Sequence, residues 1–336
     1  MDHCLVQPAP SIRAMHYAGD ALLPFLQGLV QAEVGVAGWR LWRHAPAQRA
    51  RLAAGDGLWM KRGRCPSGIR LAMRGPVKRL RLELLVTGGC RPWGAVDLLV
   101  DGRLQQRRRL QTALPGQWTV EFTFSDDGRE RRVECWLPHS LAVELVGLTC
   151  DGPLTPAPRR SQQLLCLGDS IVQGLAAGGP ASCLAGLLAN ALDLDLINQG
   201  VGGHVFDADC LTDDVELAPN CILVAYGTND WTSGLAGAEL NDRAVAYGRR
   251  LAARWPTARR CLVTPIWRYD AQRTLPAGTL RDCGRRLAAA WSEAGCGRVP
   301  HEPSLLPDGI HPDDGGFGCY TLHLLSQLRR LGWETT

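Results

Sequence analysis

Four short, nearly uninterrupted apolar runs in the second half of the chain constrain its fold more than any other feature. They are QLLCL (163–167), LDLIN (194–198), CILVAYG (221–227) and CLVTPI (261–266). A strand with one wet face alternates apolar and polar residues, whereas a strand buried on both faces, as in a parallel sheet, is apolar throughout. Helical periods follow the last two runs. Leu240, Ala244, Tyr247, Leu251 and Trp255 are spaced 4, 3, 4, 4, and Leu280, Cys283, Leu287 and Trp291 are spaced 3, 4, 4. Phe317, Tyr320, Leu324, Leu328 and Leu331 close the chain at 3, 4, 4, 3. Aromatic residues at such spacing form the buried stripe of a helix. Strands alternating with helices predict a doubly wound parallel sheet, whose ligands bind beyond the carboxyl ends of the strands.

The first half has another texture. Short alternating runs are separated by Gly and Pro: VGVAGWRLW (34–42), VKRLRLELLV (77–86), AVDLLVDGRLQQRRRL (95–110), QWTVEFTF (117–124) and RRVECWLP (131–138). Asp101-Gly102 between two such runs signals a hairpin. With almost no helical period, this half predicts an antiparallel sandwich or jelly roll. The Pro-rich, polar segment 151–162 fits a linker. The expected division is a β-sandwich domain over 1–155 and a second domain over 160–336.

Composition excludes several classes. With 46% apolar and 21% charged residues, the chain can bury ordinary cores and is neither disordered nor collagenous. No apolar stretch is long enough for a membrane-spanning helix, and MDHCLVQPAP lacks the pattern of a signal peptide, so a cytoplasmic location and no membrane partner are expected. Residues 1–160 carry 23 Lys and Arg against 14 Asp and Glu; residues 161–336 carry 14 against 19. A basic half invites a nucleic-acid reading, but no recognition motif accompanies it. The arginines alternate with apolar residues, as on the solvated face of a strand, so no nucleic-acid partner is expected. The 13 cysteines lack a CxxC or pairing rhythm and sit in apolar runs, which points to buried thiols acting as small hydrophobes.

The loops after the strands carry the chemistry. Gly168-Asp169-Ser170 follows the first strand and Asn198 to His204 (NQGVGGH) the second. Gly227-Thr228-Asn229-Asp230-Trp231 follows the third, and Asp308-Gly309-Ile310-His311 precedes the last helix. A serine hydroxyl is a weak nucleophile until a base takes its proton, and His311 can supply that base because an unperturbed imidazole titrates near neutrality. Asp308, three residues before it in one tight loop, can fix the imidazole tautomer and stabilise the imidazolium. A tetrahedral oxyanion needs donors that do not reorganise; the N–H groups of Ser170 and Gly203 and the Asn229 amide lie at strand ends suited to that.

Each piece alone has a plainer reading. Gly-Asp-Ser can cap a helix or mark a phosphopantetheine attachment site, although carrier domains are small helical bundles. Gly200-Val201-Gly202-Gly203 has part of a dinucleotide fingerprint, but Val205 stands where G-x-G-x-x-G requires glycine. The joint occurrence of four loops, in order, decides between the readings.

The set resembles the SGNH (GDSL-type) hydrolase family. LGDSIVQG (167–174) matches its serine block and INQGVGGH (197–204) its glycine block. Gly227, Asn229 and Asp230 match its Gly-x-Asn-Asp block, and Asp308 and His311 its Asp-x-x-His block. The resemblance covers about residues 163–331. It implies a flavodoxin-like sheet, Ser170 as nucleophile, His311 as base then acid, Asp308 as its orienter, and Ser170, Gly203 and Asn229 as the oxyanion hole. It also implies no metal and no organic cofactor. His204 departs from relatives that carry Asp or Asn there, and its two readings are substrate contact and a satisfied polar residue at the sheet edge. The run 133–153 resembles the end of the β-sandwich that precedes the catalytic domain in some SGNH esterases. His139 within it reads as a structural turn histidine.

Trp231 and Trp267 each follow a strand end and can wall a substrate pocket or pack in the core. Arg268 reads as solvated. The expected function is hydrolysis of a small-molecule carboxylic ester, such as an acylated carbohydrate, through an acyl-Ser170 intermediate. Acyl transfer to another alcohol, and a carbohydrate-binding protein with a vestigial site, are the alternatives.

Overall fold

The computed structural model describes residues 14–111, 115–124, 129–291, 294–295 and 303–333. The first part is built on β1 Met15–Ala18, β2 Leu26–Gln27, β3 Gln31–Val34, β4 Trp39–Trp42, β5 Arg70–Gly75 and β6 Arg79–Gly89. It continues through β7 Trp93–Val100, β8 Arg103–Gln111, β9 Gly116–Thr123, β10 Arg131–Trp136, β11 Leu141–Cys150 and β12 Thr155–Pro156. These strands form two six-stranded antiparallel sheets. One runs β3-β4-β11-β6-β9 with β1 also on β11; the other runs β12-β5-β10-β7-β8 with β2 also on β5. Alternation drives the packing. In β6, Leu80, Leu82 and Leu84 are buried while Arg79 and Arg81 are exposed. The β7–β8 hairpin turns at Asp101 (φ +49°) and Gly102 (φ +75°), the two positive φ values of a type I′ turn.

The second part is the predicted parallel sheet, in the order β14-β13-β15-β16-β17. Its strands are β13 Gln163–Gly168, β14 Asp195–Asn198, β15 Cys221–Ala225, β16 Arg259–Val263 and β17 Ala294–Gly295. Successive β13 residues face opposite cores. Leu164 and Cys166 pack with one layer of helices, and Leu165 and Leu167 with the other. The chain leaves β13 for β14 on one side and then crosses to β15 on the other, so the carboxyl end of β13 lies at the topological switch point.

Two expectations fail in the first part. The run 34–42 is not one strand: a turn over 35–38 separates β3 from β4, closed by Gly35 N–H to Gly38 O at 2.7 Å. Two short helices, α1 Pro46–Ala54 and α2 Gly57–Gly63, follow where no helical period is visible. Pro46 at the first turn and the Asp56 carboxylate accepting from Leu58 N–H were readable start signals. Segment 151–162 is not a free linker either. Thr155–Pro156 pairs with β5, and Arg160 bonds Leu194 O and Asn190 Oδ1.

Nor are the cores fully separate. Leu99 and Trp136 of the sandwich belong to a core cluster otherwise built from the second part. Arg70, fully buried, bonds Asp195 Oδ1 at 2.7 Å, and Gln48 bonds the Gln199 side chain at 3.1 Å. The cysteines behave as expected: of the eleven among the described residues, nine are buried and all are free thiols.

Candidate active site

Ser170 opens α3 (Ser170–Gln173) directly after β13. The sharp turn there is set by Asp169, whose carboxylate accepts from Ile171 N–H at 2.9 Å. Ser170 Oγ lies 2.8 Å from His311 Nε2, and His311 Nδ1 lies 2.7 Å from Asp308 Oδ2. The other Asp308 oxygen accepts from the N–H groups of Ile310 and His311 at 3.0 and 2.7 Å. Gly309, at φ +75°, makes the turn that folds this loop back on itself. The three side chains that the sequence places at opposite ends of the domain thus form one hydrogen-bonded chain.

Burial pushes the His311 pKa below 6.5, with Asp308 pulling the other way. Asp308 is pushed up by burial, but the His311 contacts win and hold it below the ordinary carboxylate range. The imidazole is therefore neutral at physiological pH, with Nε2 positioned to take the Ser170 proton. Asp308→Asn is expected to lower kcat by up to roughly 10⁴-fold, less than His311→Ala, because the orienter does not take the proton itself. It should also move the acid limb of kcat/KM to still lower pH, since the group that raises the His311 pKa is gone. A pH–rate profile from 4 to 9 checks this; a limb moving upward contradicts the role of Asp308.

The three donors expected of an oxyanion hole differ in what already engages them. Ser170 N–H, at the start of α3, has no partner among the described residues. In the loop after β14 the amides of Gly200, Val201, Gly202 and His204 donate to Asn198 Oδ1, Gly168 O, Gln173 Oε1 and Val201 O. Gly203 N–H alone is left without a partner among the described residues. Gly200 is needed for the loop's approach: a Cβ there would lie 2.5 Å from Gln173 N. Asn229, in the first turn of α5 (Thr228–Thr232), donates through Nδ2 to His204 O at 3.1 Å and reaches Asp169 Oδ2 only at 3.4 Å. That second contact is at the long end of the hydrogen-bond range.

Asp169 itself is fully buried, and burial raises its pKa to about 7. The unfolded chain ionises this group near 3.8, so its contribution to stability is complete below that pH and is lost as pH rises through about 7. Asp169→Asn keeps the capping acceptor and removes the charge. Its stability gain over the wild type should grow by on the order of 3 kcal/mol between pH 5 and pH 8. Equal gains in thermal melts at both pH values would contradict the assignment.

Not every expected site residue reaches the site. Trp231 is fully buried in the core, its Nε1 donating to Gly278 O at 2.9 Å, so it walls no pocket. Helix α5 turns Asn229 toward His204 and Asp169, and Trp231 inward. Arg268 is not solvated: it is buried, bonds both oxygens of Asp270 and lies over the Trp231 ring. Trp267 is half-buried between the two cores of the second part. His204 is buried, with Nδ1 on Tyr226 OH at 3.1 Å and Nε2 on Cys210 Sγ at 3.5 Å, the satisfied-residue reading. His139 is fully buried, its ring edge-on to Trp93. His204, Asp207 and Cys210 bring ligand-type atoms within 4.8 Å of one another. Arg51 bonds both Asp207 oxygens, however, and the group reads as a buttress of the glycine loop.

Sequence reasoning missed two neighbours. Tyr269 is exposed beside the Asp308–His311 turn, its ring 2.8 Å from where a Gly309 Cβ would be. The other is α2: Trp59 packs edge-on against His204, and Arg62 Nη1 donates to Gly202 O at 2.7 Å. No motif marks either.

Comparisons with known proteins bear on the family and the fold. Residues 166–324 match the GDSL-like Lipase/Acylhydrolase family. No curated protein matches the chain in sequence. Among solved structures, the salicylyl-acyltransferase SsfX3 from a tetracycline biosynthetic pathway is similar at TM-score 0.80 and 18% identity, over 97% of this chain and 99% of that one. A Bacteroides ovatus protein assigned as a GDSL-like lipase gives 0.74 and 14%, over 95% and 98%. A family two carbohydrate esterase from Cellvibrio japonicus gives 0.64 and 21%, over 95% and 98%. At these identities the likeness establishes the fold, and it extends through both parts of the chain.

Proposed function

With residues 166–324 forming a GDSL-like lipase/acylhydrolase domain, we propose that the chain is a serine esterase working through an acyl-Ser170 intermediate. The observation that carries this reading is the Ser170–His311–Asp308 chain of 2.8 and 2.7 Å contacts. Ser170 Oγ attacks the ester carbonyl while His311 Nε2 takes its proton. The oxyanion is received by Ser170 N–H, Gly203 N–H and Asn229 Nδ2. His311 returns the proton to the departing alcohol, and the same steps with water release the acid and free serine. No step calls for a metal or an organic cofactor. The intact chain of contacts argues against a vestigial site.

The acyl-enzyme can also pass its acyl group to another alcohol, and similarity to a salicylyl-acyltransferase keeps that second reading in view. Both reactions share acyl-Ser170, so the acceptor beside His311 separates them. Hydrolysis is favoured because the His311 loop lies at the surface, Asp308 being exposed, and water needs no dedicated site to enter. The test is turnover of p-nitrophenyl acetate, followed by partitioning of the acyl-enzyme between water and a panel of sugars and phenols. Steady release of acetate supports the esterase. Near-complete capture by one acceptor at low millimolar concentration makes the protein a transferase.

A further inference from the structure

The loop that supplies Gly203 is held from outside its own domain. A peptide unit is planar, with C=O and N–H pointing in opposite directions. The Gly203 N–H belongs to the same peptide unit as the Gly202 carbonyl, and that carbonyl accepts from Arg62 Nη1 at 2.7 Å. One end of the unit is thus gripped by a cation, while the other, alone among the amides from Gly200 to His204, has no partner among the described residues. Glycine on both sides makes this peptide the easiest in the loop to rotate. Rotated by half a turn, it would present a carbonyl oxygen where a developing oxyanion needs a donor.

Arg62 is placed to oppose that rotation. Its own carbonyl accepts from Arg43 Nη2 at 3.1 Å and from Gln173 Nε2 at 3.3 Å, so α2 is tied to the helix that Ser170 opens. Gln173 Oε1 receives the Gly202 N–H at 2.8 Å, closing a ring of bonds through Arg62, Gln173 and Gly202. A Cβ on Gly203 would meet Arg62 Nη1 at 2.7 Å, and one on Gly202 would meet Arg62 Cδ at 3.1 Å. Gly203 also sits at φ +80°. The two glycines and the arginine therefore fit one another: the loop is bare so that the guanidinium can lie on it. A charged donor on a carbonyl also polarises the amide, strengthening the N–H at its other end.

We propose that Arg62, from the N-terminal part of the chain, is a positioning residue for ester cleavage. By holding the Gly202 carbonyl it locks the Gly202–Gly203 peptide with the Gly203 N–H turned toward the oxyanion. The inference rests on the acyl-Ser170 reading above. It makes the sandwich part a component of the catalytic machinery.

The experiment compares wild type, Arg62→Ala and Arg62→Lys in the full chain. The readouts are p-nitrophenyl acetate kinetics, the labelling rate of Ser170 by a fluorophosphonate, whose tetrahedral phosphoryl oxygen loads the same donors, and thermal melting. For Arg62→Ala, kcat and the labelling rate should fall roughly 10- to 100-fold, less than removal of a donor outright. KM should stay within about twofold, since only the charged transition state uses the locked amide. Arg62→Lys, with one flexible donor, should lie between, and added guanidinium ion should restore part of the rate to Arg62→Ala. Should Arg62→Ala melt early, Arg62→Gln carries the same comparison. An unchanged kcat, or a loss confined to KM, overturns the inference. If wild-type Ser170 is not labelled, the esterase reading itself fails. If the wild type is labelled and the variants label equally fast, the esterase reading stands and Arg62 has no positioning role.

Discussion

Ser170→Ala is expected to abolish ester turnover, a loss on the order of 10⁴–10⁶ in kcat, while the protein melts as the wild type does. The side chain lost is a single hydroxyl hydrogen-bonded to His311 Nε2. It caps nothing, because Asp169 supplies the acceptor for the start of α3. His311 keeps Asp308 as its partner, so no buried ionised group is stranded. The rate must fall because, among the described residues, Ser170 Oγ is the nucleophile hydrogen-bonded to the imidazole, and a polarised carbonyl without an attacking oxygen gains little. Purified variant and wild type are compared on p-nitrophenyl acetate and by thermal melting. Normal melting with undiminished turnover would sink the acyl-Ser170 mechanism.

Why the Ser170–His311–Asp308 contacts were readable and their surroundings were not follows from where each kind of residue sits. The parallel strands are buried on both faces, so their apolar runs declare them, and the doubly wound rule then sends the search to their carboxyl ends. Ser170, Gly203, Asn229 and the 308–311 loop are all found there. The side chains flanking them obey a subtler rule. Asn229 and Trp231 are two residues apart on one turn of α5; the helix sends one to Asp169 and His204 and the other into the core, and only packing decides which. Arg268 reads as solvated because a lone arginine usually is, yet the Trp231 face and Asp270 give it a buried seat. Helices α1 and α2 escaped because hydrophobic period is blind to polar contact. Their inward residues include Gln48, bonded to Gln199, and Arg62, bonded to Gly202. A surface that reads as basic and irregular in sequence is, in the fold, the one that holds the glycine loop.

Residues 160–336 expressed alone are therefore expected to lose activity altogether, and not merely solubility or substrate preference. In the full chain Arg43 is fully buried and donates to Cys65 O, Asn198 O, Gly200 O and Arg62 O. Two of those carbonyls belong to the segment from β14 into the glycine loop. Removing residues 1–159 takes away Arg43, Arg62 and Gln48 together. It also strips Arg70 from the buried carboxylate of Asp195 and uncovers the core cluster that Trp136 and Leu99 complete. Water can satisfy the carbonyls but cannot hold the loop in one conformation, and the exposed apolar face favours aggregation. A milder probe keeps the chain whole. Arg43→Met fills similar volume but leaves the carbonyls without that donor inside a closed interface, at about 1–3 kcal/mol for each that finds no other. The variant should melt several degrees lower, on the order of 3–5 kcal/mol less stable in total, with kcat falling further than the stability loss explains because the Gly203 peptide is released. The measurements are fluorophosphonate labelling of Ser170 and urea melts on the truncated chain, the variant and the wild type. A 160–336 fragment that labels at the wild-type rate would reduce the sandwich to a spacer and remove the basis for any role of Arg43 or Arg62 in the site.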